Sequence, residues 1–161
     1  MKILILGASG NSGLRLVRLG TAAGHEVTAF VRSERKIAEL LGGQLPEGLA
    51  VRTGDVTDEA ALASAMAGQN VVINAAGNAT KPAGYLPLVA GIVRSVERAL
   101  GPGGRFWLFG GAAALDVPGT KLMTVDLPMV PAIFRAHKTN FECVSKTKLD
   151  WSMLCPGPMT G

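Results

Sequence analysis

Lys2-Ile3-Leu4-Ile5-Leu6-Gly7-Ala8-Ser9-Gly10-Asn11-Ser12-Gly13 opens the chain and decides its fold. Lys2 to Leu6 is a short apolar run rich in β-formers and stopped by glycine, which reads as a buried strand. Gly7 to Gly13 then spells G-x-x-G-x-x-G. Such a string is weak evidence alone. Placed between a strand and the start of a helix, it reads as a phosphate-binding turn. Gly7 permits the sharp turn off the strand, Gly10 lets backbone approach a pyrophosphate, and Gly13 lets the helix pack closely on the sheet. The start of that helix offers free N–H groups and a partial positive charge to phosphates. Ser9, Asn11 and Ser12 join the three glycines as candidate binding residues.

The rest of the chain keeps alternating. The helix runs to about Ala23, with Gly13, Leu16, Val17 and Gly20 on one face and Arg15 and Arg18 turned away; Gly24 ends it. Strands are expected over Glu26–Val31, Leu49–Thr53, Val71–Ala75, Arg105–Phe109 and Trp151–Leu154. Helices are expected over 33–41, Asp58–Ala67, Leu88–Leu100 and Pro131 to about Lys146, with loops between. Strand–helix alternation of this kind specifies a parallel sheet with helices on both faces, an α/β Rossmann, doubly wound architecture of about six strands. One domain over 1–161 accounts for the whole chain.

Composition removes other classes. The 161 residues are 48% hydrophobic and 17% charged, which excludes a disordered chain. The net charge of +4 comes from scattered basic residues, and aromatics are only 5%. No basic stripe with interleaved aromatics marks a nucleic-acid partner. The excess charge instead favours an anionic dinucleotide. Cys143 and Cys155 have no metal-ligand spacing, so no metal site is expected. The first apolar run is too short for a signal peptide, and no run has membrane-spanning length; a cytoplasmic protein with no membrane partner is expected.

The tip of the second strand points to the cofactor. NAD-preferring sites place Asp or Glu about 20 residues after the glycine turn, on the ribose hydroxyl. Here the tip reads Phe30-Val31-Arg32-Ser33. Arg32 offers a guanidinium suited to a phosphate, which favours NADP, with NADPH preferred over NADH. The bland alternative is a solvated arginine, with Glu34 close by.

These strings, with Gly54-Asp55-Val56-Thr57-Asp58, Asn74-Ala75-Ala76-Gly77, Phe109-Gly110-Gly111 and Leu149-Asp150-Trp151-Ser152, resemble the atypical short-chain dehydrogenase/reductase superfamily. The subgroup concerned is its NAD(P)H-binding branch, which includes biliverdin reductase B (flavin reductase), NADH-flavin reductase-like and NmrA-like proteins. The resemblance implies that Asp55 and Val56 lie beside adenine. It implies that Asn74, Ala75, Ala76 and Gly77 line the cofactor, and that Gly110, Gly111 and Ala112 lie near the nicotinamide. Cys155, Pro156, Gly157 and Pro158 would close over it. Relatives usually continue beyond this point with a segment that helps cover the substrate, so the chain is either a minimal version or lacks that part.

The Tyr-x-x-x-Lys pair of many short-chain dehydrogenases is absent, since four residues after the single tyrosine, Tyr85, stands Val89. Arg135-Ala136-His137-Lys138 occupies the corresponding segment. The resemblance makes His137 a candidate to orient substrate or relay a proton, and Lys138 a candidate to hold an acidic substrate group. A plain helix-surface pair is the alternative. The loop from Ala112 to Val130, with Leu115, Leu122, Met123, Leu127 and Met129, is a candidate apolar wall, although packing on the sheet would explain most of them.

The expected function is NADPH-dependent hydride transfer to an aromatic acceptor such as a flavin, FMN for example, or a tetrapyrrole. Such chemistry belongs mostly to the cofactor and needs no tyrosine acid. A non-catalytic NADP(H)-sensing regulator of NmrA-like type is the alternative. If Arg32 holds the 2′-phosphate, Arg32→Ala weakens NADPH much more than NADH in a binding titration. Equal loss for both removes that role.

Overall fold

The computed structural model describes residues 1–77 and 82–157. Six strands, β1 (Lys2–Leu6), β2 (Glu26–Val31), β3 (Leu49–Thr53), β4 (Val71–Asn74), β5 (Arg105–Phe109) and β6 (Asp150–Leu154), form one sheet. Their order is β3-β2-β1-β4-β5-β6, and every pairing is parallel. The chain therefore starts in the middle, winds outward to β3, then returns to start again at β4. This is the doubly wound Rossmann order, with its switch point between β1 and β4.

Alternation along β1 sets the two layers. Leu4 and Leu6 face α3 (Glu59–Met66), α4 (Pro82–Leu100) and α5 (Arg135–Val144), in a core that also takes Phe30, Val72, Phe106 and Leu108. Ile3 and Ile5 face the other way, with Val27, Ala29 and Val31, onto Val17 of α1 (Asn11–Ala22) and Ile37 of α2 (Glu34–Leu40). Beyond β1–β3 this second face is thinner. Trp107 of β5 stays 38% exposed there, with the Arg105 guanidinium 4.8 Å from its ring centre.

Two expected boundaries move. The helix expected from Leu88 begins at Pro82 and carries Pro87 inside it. Pro87 removes one N–H and so costs a turn of hydrogen bonding near the helix start. Tyr85, Val89, Ile92, Val93 and Val96 lie buried at helical spacing, and that stripe carries the helix back past the proline. The helix expected from Pro131 is split. Ala132–Phe134 is a 3-10 turn, and α5 proper starts at Arg135. The segment between β5 and α5 adds 3-10 turns at Ala112–Ala114 and Thr124–Asp126, and an antiparallel bridge joins Asp116 to Met123.

Capping shows how local chemistry fixes element ends. Asp58 precedes α3, and its carboxylate accepts from the N–H groups of Ala60 and Ala61 at 2.9 and 3.1 Å. Asp58→Ala is expected to cost about 0.5–2 kcal/mol, read as a lower urea midpoint with an unchanged slope.

Candidate functional site

Every segment expected to bind lies beyond the carboxyl end of a strand. In a parallel sheet those ends share one edge, and the gap at the switch point opens a crevice there. Chain direction thus gathers the ends of β1, β2, β3, β4, β5 and β6 from positions far apart in sequence.

The glycine turn is built from backbone contact. Gly7 has φ +72°, and a Cβ on it would stand 2.7 Å from the Ala76 backbone at the end of β4. A Cβ on Gly13 would stand 2.2 Å from the Gly7 carbonyl oxygen. Side chains at these positions would separate strand, turn and helix. Gly10 donates its N–H to the Gly7 carbonyl at 3.0 Å and caps α1 without a side chain, and the first turn of α1 holds no acid. The N–H groups of the first turn, from Asn11 to Gly13, are therefore left for a ligand, with the helix's partial positive charge behind them. This cradle fits a pyrophosphate. Asn11 is exposed at the helix start, and Gly13 is buried against the Gly7 carbonyl.

One cavity, of about 570 Å³, spreads from this turn toward β2 and β3. Gly7, Ser9, Gly10, Arg32, Asp55 and Val56 line it, together with Lys36 and Thr57. Asp55 is not a free carboxylate. It accepts from the Thr57 hydroxyl at 2.7 Å and the Thr57 N–H at 2.9 Å. Those bonds, with Arg32 nearby, hold its carboxyl below the ordinary 3.8. The Asx turn shapes the β3 exit, and Arg32 and Lys36 supply the cavity's positive charge.

A second cavity, of about 740 Å³, lies on the β4–β5–β6 side. Its floor is Asn74, Ala75, Ala76 and Gly77, with Ser12 behind; the last three of that strand end also line the first cavity. The two spaces thus form one groove with a common middle. The Asn74 amide oxygen accepts from the Ala76 N–H at 3.0 Å, which locks the floor's turn. Gly110, Gly111, Pro156 and Gly157 form one side, joined by the Ala112 N–H donating to the Pro156 carbonyl at 2.9 Å.

The rest of the wall comes from α4 and α5. Tyr85 and His137 both line the cavity and are 7% and 8% exposed. Their rings meet edge to face at 6.3 Å, and Phe134 stacks on His137 at 6.4 Å. His137 also sits against Gly111, where a Cβ would stand 2.8 Å from its Nε2. Burial pushes the His137 pKa below its ordinary 6.5 and raises that of Tyr85, the latter partly offset by the Asn140 amide. Among the described residues, the buried His137 Nδ1 and Asn140 Nδ2 find no hydrogen-bond partner. Tyr85 carried no site signal in the sequence beyond the missing pair. Only the approach of α4 to α5 brings it here.

Three expectations change. Lys138 does not line the cavity. One residue along a helix turns about 100°, so the neighbour of inward His137 faces away. Its ammonium instead grips both oxygens of Asp126 at 2.7 and 2.9 Å, and this pairing holds the Asp126 carboxyl below 3.8. Cys155 also stands off the lining; its sulfur packs near Gly110, and burial raises its pKa. Of the five apolar loop residues, Met129 alone reaches the cavity, while Leu115 and Leu122 are exposed beside the Asp116–Met123 bridge. Pro158 lies outside the described residues.

Comparison with known proteins agrees with this geometry. The profile of a family described as NAD(P)H-binding matches residues 7–161. A solved structure from Bacteroides thetaiotaomicron, designated an epimerase, is 30% identical and superposes with a TM-score of 0.76 over 96% of this chain and 70% of that one. The Citrobacter sp. triphenylmethane reductase complexed with NADP(H) is 20% identical, with a TM-score of 0.72 over 96% of this chain and 49% of that one. An isoflavone reductase homolog from Zea mays is 36% identical over 81 residues, or 48% of this chain; the match spans 26% of that relative's length. Among the described residues, no helix is long and apolar enough to cross a membrane.

Burial of His137 has a pH consequence. Its folded-state pKa lies below 6.5, so the unfolded chain takes up the proton first. Stability is complete above that value and falls as pH drops below it. Asp55 and Asp126 titrate lower, beneath 3.8. Resistance to urea should therefore fall between about pH 7.5 and about pH 5, and His137→Gln should flatten that slope.

Proposed function

The chain belongs to the NAD(P)H-binding family of atypical short-chain dehydrogenase/reductases, an oxidoreductase family, and we propose that it is a reductase that prefers NADPH and passes hydride to a flat aromatic acceptor such as a flavin. One observation carries this reading: a cationic cavity and a ring-lined cavity share the floor Ala75–Gly77. NADPH has a matching division: a 2′-phosphate at its adenosine end, the pyrophosphate in the middle and an uncharged dihydronicotinamide at the other end.

Each residue's part follows from its place. The first turn of α1 holds the pyrophosphate on its free N–H groups. Arg32 and Lys36 meet the 2′-phosphate, and the Asp55–Thr57 turn with Val56 flanks the adenine. The Asn74–Gly77 floor and the Gly110–Gly111 exit of β5 seat the nicotinamide end. Bound NADPH supplies the hydride. The protein's task is then to hold the acceptor ring flat against the seat and exclude water. Phe109, Met129, Val130 and Phe134 make the apolar wall for that ring. At about 740 Å³ the cavity lies in the range of roughly 300–1,000 Å³ usual for small-molecule sites. His137, buried and held neutral beside Gly111, orients the acceptor from the α5 wall. The triphenylmethane reductase, named for an aromatic substrate, is a precedent on the same fold.

Steady-state oxidation of NADPH and NADH with FMN as acceptor tests this. Turnover that is faster with NADPH is expected. Tight NADPH binding without turnover on any acceptor would transfer the proposal to a dinucleotide sensor.

A further inference from the structure

We propose that Lys138 and Asp126 are positioning residues of the acceptor site: their ion pair latches the segment from Leu115 to Val130 onto α5 and so sets the mouth of the β4–β5–β6 cavity. This rests on the reductase reading and adds to it the pair that shapes the acceptor's side of the groove.

The segment is bonded mainly to itself. The Leu115 carbonyl accepts from the Thr124 N–H at 2.8 Å and from its hydroxyl at 3.0 Å. The Leu122 carbonyl accepts from the Val117 N–H at 2.8 Å, and the Leu127 carbonyl from the Val130 N–H at 3.0 Å. Among the described residues, the hydrogen bonds of residues 115–130 stay within 112–130 with one exception. That exception is the Lys138 ammonium, which bonds both oxygens of Asp126 at 2.7 and 2.9 Å. Packing follows the same division. Val125 is the only buried side chain between Leu115 and Val130, whereas Leu115, Leu122 and Met129 are exposed. A segment with one apolar plug and one ion pair opens more readily than the sheet and helices around it.

The place of the pair makes it consequential. Thr124, Met129 and Val130 line the ring cavity, and Asp126 lies between them in the chain. Lys138 follows His137, through which α5 lines the same cavity. The ion pair therefore joins the rim to the helix that carries the wall. Asp126 also accepts from the Met123 N–H at 3.0 Å, so its carboxylate is anchored on its own side of the contact. Lys138 first, then the Met123 N–H and last the Arg135 charge lower the pKa of this carboxyl, which stays ionised near pH 7. With the latch closed, Met129 and Val130 stand against an acceptor ring and exclude water from it. With the latch released, the rim moves off and the acceptor loses those contacts. The dinucleotide's other end, among Gly7, Arg32 and Asp55, keeps its own.

Three variants test this. Asp126→Asn keeps an acceptor for the Met123 N–H but loses the charge that holds Lys138. Lys138→Met removes the cation, and Lys138→Arg restores one suited to a carboxylate. Trypsin cleavage after Lys121, exposed in the turn between Val117 and Leu122, reports release of the segment. Quenching of FMN fluorescence with NADP+ bound gives the FMN Kd, and steady-state NADPH oxidation gives the FMN KM. Asp126→Asn and Lys138→Met are expected to raise the cleavage rate, the FMN Kd and the FMN KM by about threefold to fivefold, the scale of a partly exposed ion pair, and to change kcat less. Lys138→Arg is expected to match the unmodified protein. NADPH affinity is expected to stay unchanged, and cleavage after Arg94 in α4 to stay slower than after Lys121 in every variant, which marks a local release rather than general unfolding. Equal cleavage in all four proteins overturns the latch. Faster cleavage with FMN affinity unchanged, absence of FMN binding, or loss of NADPH affinity to the same extent as FMN affinity overturns the positioning role. Failure of every acceptor to oxidise NADPH overturns the reductase reading; cleavage and FMN affinity then decide the latch by themselves.

Discussion

The approach of Gly7 to two neighbours is the constraint on which this site depends. Its carbonyl lies under Gly13 and its Cα against the backbone of Ala76, at separations that leave no room for a Cβ on Gly7 or Gly13. Strand β1, the start of α1 and the end of β4 are thereby held at backbone contact. A wider separation would move the first turn of α1 away from the crevice and open the floor that both cavities share. The helix's unfilled N–H groups act on a ligand only because packing aims them there.

Parallel strand direction does the rest of the assembly. Six exits reach one edge, and the switch between β1 and β4 leaves the gap into which a ligand can pass. The chain then divides its charge along that gap. Basic residues stand at the β2–α2 exit, where Arg32 and Lys36 lie. At the other end, among the described residues, aromatic and small residues line the cavity, and Lys138 pairs with Asp126. That internal ion pair fastens α5 to the 3-10 turn at Thr124–Asp126. Being partly exposed, it adds little to stability; its weight lies in placement.

The α4–α5 wall brings buried polar side chains together. Tyr85, His137 and Asn140 meet there from two helices, and among the described residues His137 Nδ1 and Asn140 Nδ2 have no hydrogen-bond partner. Buried polar atoms without partners are uncommon because their desolvation is uncompensated. Here they stand beside the space that a substrate would fill.

The sequence by itself determined the alternation of strands and helices, the glycine turn and Arg32 at the tip of β2. These are local: a short apolar run, a helix stop or a turn glycine reflects the backbone conformation of its own few residues. Local signals also misplaced the start of α4, because Pro87 outweighs a buried stripe until the core that buries it is known. Tertiary structure alone decided that Tyr85 faces the cavity and that Lys138 turns from it onto Asp126. It also decided that Met129, and not Leu115 or Leu122, forms the rim. Each of those outcomes depends on contacts between segments far apart in the chain. Which face of α5 is inward follows from what α4 and the β5 exit present to it, and no spacing within α5 encodes that.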